Sequence, residues 1–140
     1  MTFEELNESC REALEGAGIS LTEESARGLA VFRCVVRRMP KERAGKLGLA
    51  LLAANFMGGG TRGAWLAVSS EGEIVLRQVL PLSLLDEKLA TEAIRALADA
   101  AKGWREIIAD YETAAARQTV ADEEALRLAR RMAISGFLRV

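Results

Sequence analysis

Few side chains in this sequence could carry out chemistry, and their types exclude the commonest catalytic sites. The 140 residues include no histidine, the side chain most often used for proton transfer near neutral pH and for binding zinc. The two cysteines, Cys10 and Cys34, are too few for a four-thiolate metal site and too far apart for a CxxC pair. Each falls on an apolar face, which favours a buried structural role. Metal-dependent hydrolysis, histidine-based triads and disulfide scaffolds are therefore nearly excluded.

Two further motifs resemble parts of active sites without completing one. The glycine-rich stretch 58–63 lacks the lysine and the Ser or Thr of a nucleotide-binding loop, and it follows a predicted helix instead of a strand. A flexible connector is the favoured interpretation. Adjacent glutamates would diverge on a helix and do not form an acid–base pair; they are Glu4-Glu5, Glu23-Glu24 and Glu123-Glu124. We predict that the protein is not an enzyme, with no catalytic, cofactor-binding or metal-binding residues and no cofactor.

The charge is nearly balanced overall but uneven along the chain. There are 19 basic and 20 acidic residues, for a net charge of -1. Residues 29–63 are basic and the segments on either side are acidic. The basic run from Arg33 to Lys46 could contact nucleic acid, but Phe32 is its one aromatic neighbour, so a solvated face is favoured. We therefore expect no nucleic-acid partner.

Neither a secretion signal nor a membrane span is evident. The first fifteen residues are rich in glutamate and lack the basic start and apolar core of a signal peptide. The longest nearly apolar stretch, residues 47–57, is far short of the ~20 residues that span a bilayer. The sequence therefore predicts a cytoplasmic protein with no membrane insertion.

Hydrophobic periodicity and turn residues predict an α+β fold with the element order α-β-β-α-β-β-α-α. Thr2 and Glu5 form a capping box at the start of the first helix. A small antiparallel sheet packed by helices is expected. We predict one domain over residues 1–113, followed by an additional C-terminal helix and tail over 114–140. The predicted helices cover residues 3–15, 41–57, 86–111 and 120–134, and the predicted strands cover 19–21, 29–37, 64–70 and 73–80.

The second predicted helix is apolar on nearly every side from Leu47 to Met57. Such a helix must be covered on every side, and one sheet in a domain of this size can cover only one of them. The other side needs either a second helix layer or another copy of the chain.

The same predicted helix carries a sequence motif that resembles one found in a known protein family. Residues 47–56 read Leu-Gly-Leu-Ala-Leu-Leu-Ala-Ala-Asn-Phe. A glycine loop follows, then a strand beginning at Gly63, a turn at Glu71-Gly72, a strand ending in Leu80-Pro81-Leu82, and a helix that opens at Leu85-Asp86 and carries Trp104-Arg105. This order, over about residues 40–110, resembles the type III secretion chaperones of the Tir-chaperone type and their leucine-leucine-x-alanine-asparagine-leucine helix.

The resemblance implies a small homodimer in the bacterial cytoplasm that holds the N-terminal segment of a secreted effector in an extended form. It implies delivery of that effector to the secretion apparatus, whose ATPase becomes a further candidate partner, and it implies no catalytic residues and no nucleotide. It also implies that the second helix and the strand after it form the dimer contact. The dimer residues predicted on this basis are Leu47, Leu51, Leu52, Phe56 and Trp65.

Two features depart from the family pattern. The family has three strands between its first two helices, whereas residues 19–39 leave room for about two. A strand or hairpin that contributes to effector binding is therefore shortened or lost. The chain also continues past the usual last helix, and residues 120–140 would either cover the surface left bare or occupy part of the effector groove.

An extended effector segment would pair with an exposed sheet edge and place side chains in apolar pockets. The predicted contacts are Leu29, Val31 and Val35 on the mixed face of the second strand, with Phe3 and Leu6 of the first helix nearby. The alternative is that these residues fill the core. Two other functions stay open: a non-secretory adaptor or regulatory protein-binding domain of the same fold, and a small-molecule-binding or enzymatic domain.

Overall fold

Four antiparallel strands form the sheet on which the rest of the chain is organised. The computed structural model describes residues 1–41, 44–55 and 64–138. The predicted α+β class with an antiparallel sheet is confirmed. The strands are β1 (Ile19–Glu24), β2 (Leu29–Arg38), β3 (Trp65–Val68) and β4 (Glu73–Pro81), in the sheet order β1-β2-β4-β3. The helices are α1 (Phe3–Ser9), α2 (Arg11–Ala17), α3 (Ala44–Asn55) and α4 (Glu87–Leu138), and 3-10 turns span Ser25–Arg27 and Leu82–Leu84.

The first predicted helix is present but is interrupted once. The Thr2 hydroxyl accepts from the Glu5 backbone N–H, and the Thr2 N–H donates to the Glu5 carboxylate at 2.9 Å, so the predicted capping box is confirmed. The backbone leaves helical geometry at Cys10, which separates α1 from α2. Gly18 then ends α2 with a φ of 65°, a left-handed conformation that glycine adopts without strain.

The hairpin of β1 and β2 is longer than the sequence predicts. β2 agrees with the predicted second strand, but β1 continues to Glu24 instead of ending at Leu21. Thr22 pairs with Val31 and Glu24 pairs with Leu29. These polar residues have a weak strand preference of their own, and the neighbouring strand overrides it by supplying hydrogen-bond partners. Two strands lie between α2 and α3, which is the number that the chain length allows.

β3 and β4 form the second predicted hairpin. The Ser69 N–H donates to the Glu73 carbonyl at 2.8 Å, and the Gly72 N–H donates to the Ser69 carbonyl at 3.0 Å. These bonds close the turn predicted at residues 70–72. β4 ends at Pro81, within one residue of the prediction, because proline has no N–H to donate to a ladder.

The last two predicted helices are one helix. α4 continues without interruption from Glu87 to Leu138, so the prediction of a break between residues 111 and 120 is wrong. Residues 112–119 contain neither glycine nor proline, and nothing in them stops a helix from propagating. The predicted domain boundary at residue 113 falls inside α4. The predicted start is confirmed, because the Asp86 carboxylate accepts from the Leu89 N–H at 2.7 Å.

The core lies between one face of the sheet and the helices. Alternate residues of β2 are buried there, as the two-residue period of a strand predicts. Both cysteines are buried in this core as free thiols, in the structural role expected of them. The strand contributes Ala30, Phe32, Cys34 and Val36, the first two helices contribute Leu6, Cys10 and Leu14, and α4 contributes Ile94, Leu97, Ala101, Trp104 and Ile108.

A bulge in β2 joins the sheet to α4. The register between β2 and β4 shifts between Val35 and Arg37, and a bulge disturbs the regular ladder bonds of its strand. The Arg105 guanidinium donates to the carbonyls of Val35 and Val36, each at 2.9 Å. Arg37 forms a two-pronged ion pair with Glu112 of the same helix, with bonds of 3.2 and 2.6 Å. These contacts fix the direction of α4 across the sheet.

Candidate binding surfaces

Exposed apolar side chains, not clustered polar ones, mark the candidate sites. Within the ranges that the structure describes, no group of three or more cysteine or carboxylate side chains could hold a metal ion. No helix in those ranges combines the length and the apolar character needed to cross a bilayer. Among the described residues, exposed apolar side chains occur on the sheet face opposite the helices, in a groove between α3 and β3, and along the far half of α4, besides single positions such as Leu84.

The open sheet face is the side of the sheet that the helices do not cover. The register places Val31 of β2 opposite Val79 of β4, and Val35 opposite Val75, so apolar pairs run along the two central strands. None of these four valines belongs to the core cluster, but neighbouring side chains bury Val31 and Val75, and the exposed apolar side chains of this face are Val79 and Trp65 of β3. An antiparallel sheet with one face on the core commonly turns a polar face to solvent, so an apolar one indicates a binding surface.

Two arginines divide the open sheet face. Arg33 lies directly opposite Arg77, and Trp65 of β3 pairs with Arg77 from the other side. Like charges directly opposite one another destabilise a pair of strands. The row formed by these three residues is therefore suited to a partner that brings a carboxylate or an aromatic ring to it.

The structure separates the five residues predicted to contact an effector. Leu29, Val31 and Val35 lie on the open sheet face, where Leu29 and Val35 are half-buried and Val31 is buried between its neighbours. Phe3 and Leu6 lie on α1, on the helix-covered side. Leu6 is only 1% exposed and is part of the core. The prediction that Leu6 lies near the mixed face of β2 is therefore wrong, because the sheet itself stands between them.

The α3–β3 groove is an apolar cavity of about 350 Å³ between α3 and the edge strand of the sheet. Leu49 and Leu52 line it and are 69% and 67% exposed. Gly45 and Gly48 also line it, and a Cβ added at either glycine would meet no atom within 4 Å. The groove is thus open and apolar, and a side chain from another molecule can enter it.

The residues predicted for the dimer contact divide between core and surface. Leu47 and Leu51 belong to the core cluster, so the chain itself covers one side of α3 and the prediction that these two face another copy is wrong. Leu52 and Trp65 are exposed, on either side of β3. Phe56 lies outside the described residues. Leu49 is not among the predicted dimer residues, although its spacing of three residues from Leu52 places both on one side of the helix.

Asn55 occupies the free edge of β3. Its amide nitrogen donates to the Leu66 carbonyl, and its amide oxygen accepts from the Leu66 N–H, both at 2.7 Å. These two bonds satisfy the backbone groups that a further strand would use, so strand addition at this point is blocked. β1 forms the opposite edge, and no strand among the described residues pairs with its outer side.

The C-terminal half of α4 projects from the body of the protein. Ala115 is the last buried residue among the described side chains of α4, and every side chain from 120 to 132 is exposed. The prediction that this segment covers a bare surface or occupies a groove is therefore wrong for residues 120–132. Its large exposed apolar side chains are Val120, Leu126, Leu128 and Met132.

Comparison with known proteins identifies one family and one fold. The model of the Tir chaperone protein (CesT) family matches residues 5–105. A chain in the structure of the HopA1–SchA chaperone–effector complex aligns with a TM-score of 0.53 and 19% identity over 63% of this chain and 66% of that chain, slightly less than two thirds of it. A chain in the structure of the ExsC–ExsE complex aligns with a TM-score of 0.57 and 14% identity over 76% of this chain and 96% of that one. No curated protein matches the chain in sequence.

Proposed function

The chain belongs to the Tir chaperone protein (CesT) family, and on that premise we propose that it is a type III secretion chaperone for the N-terminal region of a secreted effector. The bound segment is kept extended and is passed to the secretion apparatus. The observation that carries this proposal is the family match across residues 5–105, which includes all four strands. The family is one of chaperones and not of enzymes, and we assign the chain no catalytic step.

The open sheet face and the neighbouring β1 edge are the proposed effector site. An extended segment that pairs with β1 obtains main-chain hydrogen bonds without displacing a strand, because no strand in the described part of the chain pairs with the outer side of β1. On the open sheet face, Thr22 and Glu24 of β1 are then its nearest neighbours, and Val31 and Leu29 lie one strand farther on. The β3 edge is less suitable because Asn55 occupies it.

The charges on this face suggest the composition of the effector segment. Arg33 and Arg77 lie side by side among valines, so a segment that alternates apolar residues with a carboxylate would match both the apolar rows and the arginine row. Ordering such a segment costs free energy, which this matching of apolar and charged groups helps to offset.

The α3–β3 groove is the proposed contact between two copies of the chain. Leu49 and Leu52 are two large apolar side chains exposed next to each other, and exposed apolar patches of this kind are typical of protein–protein contacts. Trp65 lies across β3 from them. A second copy related by a two-fold axis would bury these side chains and cover the side of α3 that its own sheet leaves bare. We place the resulting homodimer in the bacterial cytoplasm, with the ATPase of the secretion apparatus as the receiving partner.

The proposal is tested with the double variant V31T/V35T. Threonine keeps the branched shape and the strand preference of valine but replaces a methyl group with a hydroxyl, which makes the open sheet face more polar. Circular dichroism first establishes that the variant keeps its sheet. The effector is first identified by co-purification from the native host, and binding of its isolated N-terminal segment is then measured by calorimetry. We expect V31T/V35T to bind that segment at least ~10-fold more weakly, the change expected when two buried apolar contacts are weakened.

The matched control is V68T, the same substitution on the opposite side of the sheet, where Val68 lines the α3–β3 groove. It should bind the effector segment as the unmodified chain does. Equal binding by V31T/V35T and V68T would remove the open sheet face as the effector site. Recovery of a folded, non-secreted partner, with no binding to an N-terminal segment, would favour the adaptor function instead.

A further inference from the structure

The exposed half of α4 has a pattern that neither the effector site nor the α3–β3 groove explains. Four apolar residues follow one another at spacings of four, three and four residues: Ala121, Ala125, Leu128 and Met132. We call them the projecting stripe. This spacing places them on one side of the helix, as in the seam of a coiled coil. All four are exposed, with Leu128 and Met132 at 58% and 67%.

A helix in this position obtains no stability from the body of the protein. Helices in proteins depend mostly on the packing of an apolar side and less on intrinsic propensity. Leu128 and Met132 have no such packing here. The projecting stripe is therefore expected to pack against the apolar surface of another molecule.

The charges beside the stripe indicate which partner fits. An acidic block, residues 122–124, precedes the middle of the segment, and the basic residues Arg127, Arg130 and Arg131 follow it. Neither Glu124 nor Arg131 has an ion pair with another residue in the described ranges. Two identical helices that lie antiparallel would place each acidic block beside the basic residues of the other helix.

We propose that the projecting stripe pairs with the same stripe of a second copy of the chain, antiparallel, about a two-fold axis between Leu126 and Arg127. In this register Ala125 faces Leu128 of the second copy, and Ala121 faces its Met132. A small residue thus meets a large one in every layer, which allows close packing of two helices. A parallel pair would instead place alanine against alanine in the two layers of Ala121 and Ala125, and it would align like-charged blocks.

The charges in this register also form reciprocal pairs. Glu124 of each helix flanks the seam near Arg131 of the other, so the two-fold axis generates this ion pair twice. The paired segment, residues 121–132, is ~18 Å long at 1.5 Å per residue. So short a seam gives a weak association, which is observed only as the concentration rises. The proposal is independent of effector binding and of the α3–β3 contact.

The test compares L128E/M132E with V120E/L126E in sedimentation experiments over a range of protein concentrations. Both double variants replace two exposed apolar residues of the same helix with glutamate, but Val120 and Leu126 lie outside the stripe. We expect L128E/M132E to weaken the concentration-dependent association at least ~10-fold and V120E/L126E to leave it unchanged. An equal effect of the two variants, or no effect of L128E/M132E, would overturn the proposal.

Charge exchange tests the antiparallel orientation. R131E alone places two carboxylates together in each ion pair and should weaken association, and E124K should do the same with two cations. The double variant E124K/R131E restores opposite charges in the antiparallel register and should recover the association of the unmodified chain. Without recovery, the antiparallel register is wrong.

The same series is repeated in a chain that carries Leu52→Glu, which places a carboxylate in the α3–β3 groove. This background separates the two contacts between copies, so the outcome at α4 does not depend on whether the α3–β3 contact exists. If L128E/M132E leaves association unchanged but abolishes binding of the effector segment, the stripe serves the effector and the proposal is refuted.

Discussion

At the scale of single residues, Asn55 shows how one polar side chain can control a sheet edge. It lies on a helix whose other residues are mostly apolar, yet both ends of its amide are used, at 2.7 Å each, by the N–H and carbonyl of Leu66. Leu66 itself is buried, so water is a poor substitute for these bonds. Asn55 therefore both attaches α3 to β3 and protects the edge of the sheet from further strands.

Replacing Asn55 with leucine should destabilise the fold by about 2 kcal/mol, because a buried N–H and a buried carbonyl lose their partners. N55D should also be destabilised, because a carboxylate accepts from the Leu66 N–H but repels the Leu66 carbonyl. Urea unfolding followed by tryptophan fluorescence measures both changes. The control is Asn7→Leu, at an exposed position of α1, which should change stability by less than about 0.5 kcal/mol. If N55L is as stable as N7L, the two bonds contribute nothing to the fold.

At the scale of elements, the joint between β2 and α4 determines how the helix layer crosses the sheet. The bulge at Val35 turns carbonyl groups away from regular pairing, and Arg105 reaches from α4 to bind two of them. A rigid guanidinium presents several donors in one plane, which suits two neighbouring carbonyls better than an ammonium group does. The same helix then holds Arg37 through Glu112.

Arg105→Met should lower the free energy of unfolding by about 2 kcal/mol, since hydrogen bonds from a charged donor to two backbone carbonyls are lost. The free energy of unfolding of R105K should lie between those of R105M and the unmodified chain. A lysine can donate to one of the two carbonyls, but it cannot hold both in one plane. Thermal and urea unfolding provide the measurements. R95M, on an exposed part of the same helix, serves as the control and is expected to retain full stability; a loss as large as that of R105M would show that any arginine of α4 has this effect.

At the scale of the whole molecule, the distribution of exposed apolar surface decides what the protein can bind. The helices cover one face of the sheet, and the open sheet face, the α3–β3 groove and the projecting stripe lie in three separate places. The projecting stripe lies apart from the other two surfaces, whereas Trp65 belongs to the open sheet face and lies across β3 from the α3–β3 groove.

Leu52→Glu should convert the proposed homodimer into a monomer in sedimentation equilibrium at low micromolar concentration, because a carboxylate cannot be buried in an apolar contact without a partner charge. Leu84→Glu is a close control: Leu84 is 68% exposed, against 67% for Leu52, but it lies in the 3-10 turn before α4. L84E should remain a dimer. A dimer that persists in L52E with unchanged affinity would exclude the α3–β3 groove as the contact.

Much of the fold follows from local patterns in the sequence. The capping box at Thr2, the alternation of buried residues along β2 and the start of α4 after Asp86 are all short-range features, and each was predicted because it depends on residues within a few positions of one another. The extension of β1 to Glu24 and the continuation of α4 through residue 113 were not. β1 is extended because its pairing with β2 overrides a weak local preference for strand. For α4, the only local sign that the helix continues is that residues 112–119 contain neither glycine nor proline.

The class of fold and the apolar character of the second predicted helix can be read from the amino-acid sequence, because they depend on composition and on period along the chain. Which side of each helix or strand is covered becomes clear from the three-dimensional packing alone. Leu47 and Leu52 have the same side-chain chemistry, yet one is in the core and the other is in solvent; Leu6 and Val35, predicted to be neighbours, lie on opposite sides of the sheet. Burial is a property of the packing of distant segments against one another, and the period of a single segment cannot specify it.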